Sequence, residues 1–127
     1  MATKWTIGGD AADPQRLAEF WAAALGYILE PGYESEDGAS IVDPDDVGPA
    51  IGFLRVPEPK TSKNRLHLDI RVAGTGERDA ASADRMRTKA AGLVTLGATQ
   101  VREEFYGPEV LGHIVMLDPE GNEFCVG

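Results

Sequence analysis

Two amphipathic segments in this sequence stop on the same dipeptide, Leu25-Gly26 and Leu96-Gly97, and each is followed by three β-prone stretches. The last stretch of each set is preceded by a related turn, Asp43-Pro44-Asp45 in the first half and Asp118-Pro119-Glu120 in the second. Leu-Gly and Asp-Pro are common helix stops and turn starts, so each match alone carries little. Their shared order carries more: it predicts one β-α-β-β-β unit written twice.

The first helix is the clearest local element. Asp13 can accept backbone hydrogen bonds as an N-cap, and Pro14 suits the first helical position, where its missing N–H costs nothing. Leu17, Phe20, Trp21, Ala24 and Leu25 fall on one apolar stripe, and Gly26 supplies a left-handed stop, so the helix is predicted over 14–25. Trp5-Thr6-Ile7 is β-prone before it. Strands are predicted after it over 27–30, 39–42 and 50–56, separated by the Glu36-Asp37-Gly38 and Asp43-Pro44-Asp45-Asp46 turns. The prolines of 57–63 cannot pair inside a sheet, and that stretch reads as a linker.

In the second half, residues 65–72 alternate. Leu66, Leu68, Ile70 and Val72 share one face, and Arg65, His67, Asp69 and Arg71 share the other. A helix is predicted over 78–96, with Ala83, Met86, Ala90, Leu93 and Val94 as its inner stripe. Strands follow over 99–103, 111–117 and 123–126. Trp5 and Trp21 are both expected in the core.

The chain has 127 residues, 43% of them hydrophobic and 26% charged, which suits one folded domain over 1–127 with module one at about 1–60 and module two at about 64–127. Twelve Lys and Arg against 21 Asp and Glu leave a net charge of −9. Nucleic acid and anionic membrane surfaces both need clustered positive charge, so neither is an expected partner. The acidic balance suits a cationic ligand, and it equally suits plain solubility. One cysteine, Cys125, excludes an internal disulfide and a cysteine-only metal cluster. No stretch has signal-peptide character or membrane-spanning length, and the cytoplasm is the expected compartment. Gly74-Thr75-Gly76 lacks the lysine of a phosphate loop, and no Gly-x-Ser-x-Gly turn is present.

Three stretches carry a family resemblance: Asp13-Pro14 through Phe20-Trp21 to Leu25-Gly26-Tyr27, then Asn64-Arg65-Leu66-His67-Leu68-Asp69, then Asp118-Pro119-Glu120-Gly121-Asn122-Glu123-Phe124. Over nearly its whole length the chain resembles the vicinal oxygen chelate superfamily of glyoxalase I, extradiol dioxygenases and bleomycin-resistance proteins. Within it the chain is most similar to the glyoxalase-like domain branch. The resemblance implies an α+β fold of two tandem βαβββ modules, their mixed sheets curled around a cleft and their helices outside. It also implies a homodimer and a small-molecule ligand.

Enzymes of this superfamily usually hold a divalent metal through the first and last strand of each module. Carried over by position, those sites are Thr6, Phe53 or Leu54, His67 and Cys125. Phe53 and Leu54 have no ligating atom and Thr6 is a poor ligand, so no cofactor is expected and a divalent metal would be held weakly at best. His67 reads as a ligand or general base, or as a hydrogen-bonded wall residue. Glu123, on the face of Cys125, reads as a carboxylate beside His67 or as a turn residue acting with Asn122. Cys125 reads as a buried inert thiol or as a nucleophile paired with His67. His67, Glu123 and Cys125 are therefore the candidate catalytic set.

Thr6, Leu54, Asp69, Tyr106 and His113 are the candidate cleft residues. Asp69 is expected to pair with Arg65 or Arg71, and His113 to stand at the cleft mouth or in solvent. Tyr33, Tyr106 and the loop over 103–108 could line the cleft or a dimer interface.

Two functions compete. The first is binding of a small organic molecule with lyase- or isomerase-type chemistry. The second is non-catalytic sequestration of a drug or metabolite in the manner of bleomycin-resistance proteins. Ring-cleaving dioxygenase chemistry ranks below both, because a two-His, one-carboxylate iron site would need both of the chain's histidines, His67 and His113.

Overall fold

The computed structural model describes all of residues 1–127, which divide into two compact units, Met1–Pro59 and Lys60–Gly127. Each unit carries one helix and one mixed four-stranded sheet, and neither sheet closes on itself.

The first unit runs β1 (Ile7–Ala11), α1 (Pro14–Leu25), β2 (Ile28–Leu29), β3 (Gly38–Val42) and β4 (Ile51–Arg55), with strand order β1-β4-β3-β2 and β1 parallel to β4. The Asp13 side chain accepts from the Arg16 N–H at 3.2 Å, and Gly26 closes α1 at φ 73°, where a Cβ would be strained. Leu17, Phe20, Trp21 and Ala24 are buried together with Ile41, Ile51 and Phe53 of the sheet. Phe20 and Trp21 meet edge to face at 5.3 Å.

The first strand lies later than the sequence predicts. Its ladder to β4 begins with Ile7 opposite Ile51, which leaves Trp5 outside the sheet and 65% exposed rather than in the core. Gly8, Gly9 and Asp10 are poor strand formers, yet the parallel partner supplies their backbone bonds and overrides that preference. Gly9 also has a packing role, since a Cβ there would stand 3.3 Å from the Phe53 ring.

The second unit runs β5 (Asp69–Ile70), α2 (Ala80–Thr95), β6 (Thr99–Gly107), β7 (Val110–Leu117) and β8 (Glu123–Val126), ordered β5-β8-β7-β6 with β5 parallel to β8. Helix α2 begins at a capping box. Ser82 N–H donates to the Asp79 carboxylate at 2.8 Å, and Asp79 N–H donates to Ser82 Oγ at 2.8 Å. Its inner stripe is Ser82, Met86, Ala90 and Leu93; the expected member Val94 is 45% exposed and Ala83 only half-buried. Ile114, Met116, Phe124 and Val126 form the facing core.

Two strands depart furthest from the expected length. The alternating stretch 65–72 pairs as a strand only at Asp69–Ile70, and Leu66 is 90% exposed. The reason is a side chain. Asn64 Oδ1 accepts the Glu123 N–H at 2.7 Å and Asn64 Nδ2 donates to the Glu123 carbonyl at 3.1 Å, occupying the first ladder position of β8. Conversely, the expected loop over 103–108 is mostly strand. β6 pairs with β7 as far as Gly107 opposite Val110, through three register shifts, and Glu109 makes the turn at φ 61°.

The two Asp-Pro turns share one device. The Asp43 carboxylate accepts from the N–H groups of Asp45, Val47 and Gly48, and the Asp118 carboxylate from those of Glu120 and Asn122.

Candidate functional site

Residues on the second sheet alternate between a face packed under α2 and a face turned away from it. Phe124 and Val126 point to the helix side, so Cys125 points to the other. Cys125 stands opposite Asp69 on one flank and opposite Val115 on the other, and Val115 stands opposite Arg102. The register therefore lays Asp69, Cys125, Val115 and Arg102 in one row across four strands.

His67 joins that row from the irregular segment before β5. Its Nδ1–H donates to Asp69 Oδ1 at 2.7 Å, so Asp69 pairs with His67 rather than with Arg65 or Arg71. One donor atom each from His67, Asp69 and Cys125 lies within 4.8 Å of the others. The Cys125 thiol is pushed above its ordinary pKa, first by burial and then by the Asp69 carboxylate it hydrogen-bonds to; Lys63 and Arg102 pull more weakly the other way. A thiol in that state is a neutral donor and a poor free nucleophile.

Glu123 is not part of this group. One of its carboxylate oxygens pairs with Lys60 Nζ at 3.2 Å and the other accepts the Asn64 N–H at 3.1 Å. Those bonds, the Asn64 N–H foremost, hold its pKa below the ordinary carboxylate value. The residue anchors the segment that carries His67. A further bond, Cys125 N–H to the Leu68 carbonyl at 3.1 Å, ties that segment to β8 next to the thiol.

The remaining candidates sit elsewhere. The Tyr106 hydroxyl and His113 Nδ1 are hydrogen-bonded at 2.7 Å on the β6–β7 hairpin. The Tyr106 ring lies over Gly112, where an added Cβ would come within 2.4 Å of it. In the first unit Thr6 is exposed ahead of β1. Phe53 is buried under α1, whereas Leu54 is 57% exposed in a row with Asp10 and Gly38. Leu54, not Phe53, therefore occupies the face away from the helix.

Arg102 and Lys63, which bring positive charge toward the thiol, were not singled out by sequence reasoning. Arg102 could have been found only with the β6–β7 register in hand. Charge is also divided unevenly along the chain: Met1–Pro59 holds three Lys or Arg against eleven Asp or Glu, and Lys60–Gly127 holds nine against ten.

Residues 6–127 match the family model described as Glyoxalase-like domain. The chain belongs to that family. Among solved structures it is similar to a glyoxalase/bleomycin resistance protein/dioxygenase family enzyme from Burkholderia phytofirmans PsJN, at 17% identity over 95% of this chain and 94% of that one, with a TM-score of 0.71. It is similar to a variant of the fosfomycin resistance protein FosX from Listeria monocytogenes, complexed with Mn(II) and 1S,2S-dihydroxypropylphosphonic acid, at 12% identity over 99% and 90% of the two chains, with a TM-score of 0.68. TioX from Micromonospora sp. ML1 aligns at 16% identity over 98% and 97%, with a TM-score of 0.54. At these identities the likeness establishes the fold. Comparison with curated proteins gave no match. No helix is long and apolar enough to cross a membrane.

The donors can be tested against the divalent metal that the superfamily resemblance implies. Leu54 supplies no donor atom and Thr6 only a neutral hydroxyl. The second unit supplies an imidazole, a carboxylate and a thiol. That N, O, S set suits a thiophilic ion such as zinc(II) and suits a hard, oxygen-seeking ion poorly.

Proposed function

We propose that the chain binds a small organic molecule on the face of its second sheet turned away from α2, and acts on it as a glyoxalase-like isomerase or lyase. The observation that carries this reading is the convergence of His67, Asp69 and Cys125 within 4.8 Å on a strand face whose reverse side is core. Convergent polar groups on an otherwise apolar face are what small-molecule sites present.

The bond from Nδ1–H to Asp69 holds the His67 ring in one orientation, which positions its other nitrogen for contact with a ligand. The neutral thiol offers a weak donor beside it. Arg102 is ion-paired with Glu104, so Lys63 is the cationic group that favours a ligand with an anionic or oxygen-rich group, and the Val115 side chain gives that row an apolar element. The FosX relative bound to a dihydroxypropylphosphonic acid supports the same ligand class. A divalent ion, when bound, would be held by His67 and Cys125, with Asp69 orienting the His67 ring, and would supply a Lewis acid for a substrate oxygen.

The test is turnover of a panel of hemithioacetals and 2-oxo acids by the full chain beside His67→Ala. Turnover that disappears in the variant while its thermal unfolding is unchanged supports the enzyme reading. The acidic surplus of Met1–Pro59 favours a second reading, sequestration of a cationic molecule. Tight calorimetric binding of a cationic glycopeptide, with no turnover of the panel, would replace the first reading by the second.

A further inference from the structure

We infer that a cavity in the first unit, lined by α1, the segment joining β2 to β3 and the start of β3, binds a small organic cation: an ammonium group carried on a short apolar body. The cavity measures about 260 Å³ and lies wholly within Met1–Pro59. That is below the roughly 300–1,000 Å³ of drug-sized sites, so one ring or a short alkyl chain fills it. One of its walls is the helix α1, whereas the His67 face belongs to the second unit and turns away from that unit's helix. The two are separate sites.

The walls are held in place by the chain itself. Tyr33 N–H donates to the Glu30 carbonyl at 3.2 Å, and the Tyr33 hydroxyl oxygen lies 2.7 Å from the position a Cβ would take on Gly38. The missing Cβ lets the tyrosine lie against β3, where the residue stays 47% exposed beside the cavity. Gln15 Nε2 donates to the Ser35 carbonyl at 2.8 Å and to the Gly38 carbonyl at 3.2 Å, which ties the segment to α1. Walls organised in this way lose little further freedom when a ligand binds.

Charge and surface chemistry then decide the ligand. Glu19 and Glu34 line the cavity, and no lysine or arginine does. Neither carboxylate is in an ion pair, and Arg55 is occupied by Asp37 and by the carbonyls of Ala12 and Glu36. The Tyr33 ring offers a π face to a cation, and Leu29, 54% exposed, offers an apolar contact for the body that carries it. An anion would meet two uncompensated carboxylates, and a neutral molecule gains no charge attraction from them. Three Lys or Arg against eleven Asp or Glu in Met1–Pro59 also favour the approach of a cation.

The inference deepens the cationic-ligand reading and rests on it for the sign of the ligand's charge, yet the two fail separately, because a glycopeptide is too large for this cavity. The isotope-labelled full chain is titrated at neutral pH with benzylamine, which is then protonated, and with benzyl alcohol and benzoate as neutral and anionic controls. Amide chemical shifts are the readout. Benzylamine should shift residues 33–35 and 38–40 and saturate at one molecule per chain, with benzyl alcohol at least about 10-fold weaker and benzoate without effect. Glu19→Gln and Glu34→Gln combined should weaken benzylamine at least about 10-fold. Both side chains are exposed, so the amides outside the cavity should keep their shifts and show the variant folded. His67→Ala should bind benzylamine as the unaltered chain does. Benzyl alcohol binding as tightly as benzylamine, unchanged affinity in the double variant, or shifts centred on Asp69 and Cys125 would each overturn the inference, as would shifts that do not saturate by about 10 mM.

Discussion

Asn64→Ala is the perturbation that best tests how the second unit is assembled. The Asn64 side chain bonds both backbone groups of Glu123, accepting from its N–H at 2.7 Å and donating to its carbonyl at 3.1 Å. It also donates to the Leu66 carbonyl. The two bonds to Glu123 join residues 59 apart in sequence and substitute for the ladder that a longer β5 would have made. Each such bond contributes about 0.5–1.5 kcal/mol net, and the groups are part-buried, so water recovers some of what alanine removes.

Loss of the side chain should therefore cost about 2 kcal/mol. In urea, with a slope of about 1–3 kcal/mol/M for a chain of this size, the midpoint should fall by about 1 M with the slope unchanged. Amide exchange should accelerate selectively at Glu123 and Cys125, because the unpaired segment can now lift away from β8. His67 rides on that segment, so organisation of the His67–Asp69–Cys125 group should decline with it. An unmoved midpoint together with unchanged exchange at Glu123 would refute the clamp and with it the account of why β5 is short.

Three further outcomes are expected. Asp13→Ala should destabilise the chain by about 1 kcal/mol through loss of the α1 cap, and an unchanged melting temperature would remove that cap from the account. Asp43, Asp79, Glu103 and Glu123 all have folded pKa values below the ordinary one, held there chiefly by the Gly48 N–H, the Ser82 N–H, the Arg87 side chain and the Asn64 N–H respectively. Their contribution is complete above the ordinary carboxylate pKa and is lost as pH falls through the depressed values, so the urea midpoint should hold near neutrality and decline below roughly pH 5; a midpoint that stays level to roughly pH 3 would contradict this. Finally, β6 is a nine-residue edge strand with Val101, Phe105 and Tyr106 exposed, and such an edge favours pairing with a second copy. Light scattering should give twice 13.6 kDa, and a mass of 13.6 kDa at micromolar concentrations would exclude the dimer.

Local chemistry made part of this protein legible from its residues alone. Asp13, Pro14, the Leu17–Leu25 stripe and Gly26 define α1 to the residue, because capping, a fixed proline φ and a left-handed glycine all act within one turn of helix. The paired Asp-Pro turns are local in the same sense: each carboxylate bonds backbone N–H groups two to five residues ahead. The order of elements follows from those punctuation marks, and the family resemblance rests on motifs built from them; the family model matches residues 6–127.

Strand register is another matter, because a strand exists only where a distant partner offers free backbone groups. Residues 65–72 alternate well enough for eight positions of strand, yet Asn64 occupies the partner's first ladder position and only Asp69–Ile70 pair. Ile7 meeting Ile51 moves β1 past Trp5 and leaves that tryptophan in the open. The candidate site depends on the same long-range choices. Asp69 has arginines on both sides in sequence, but it bonds His67 and lies across from Cys125 because β5 runs parallel to β8 in that register. Lys60 and Asn64 occupy Glu123 for the same reason: a side chain's partner is the group that the fold brings within bonding distance, and sequence spacing carries that information only within a turn or a helix.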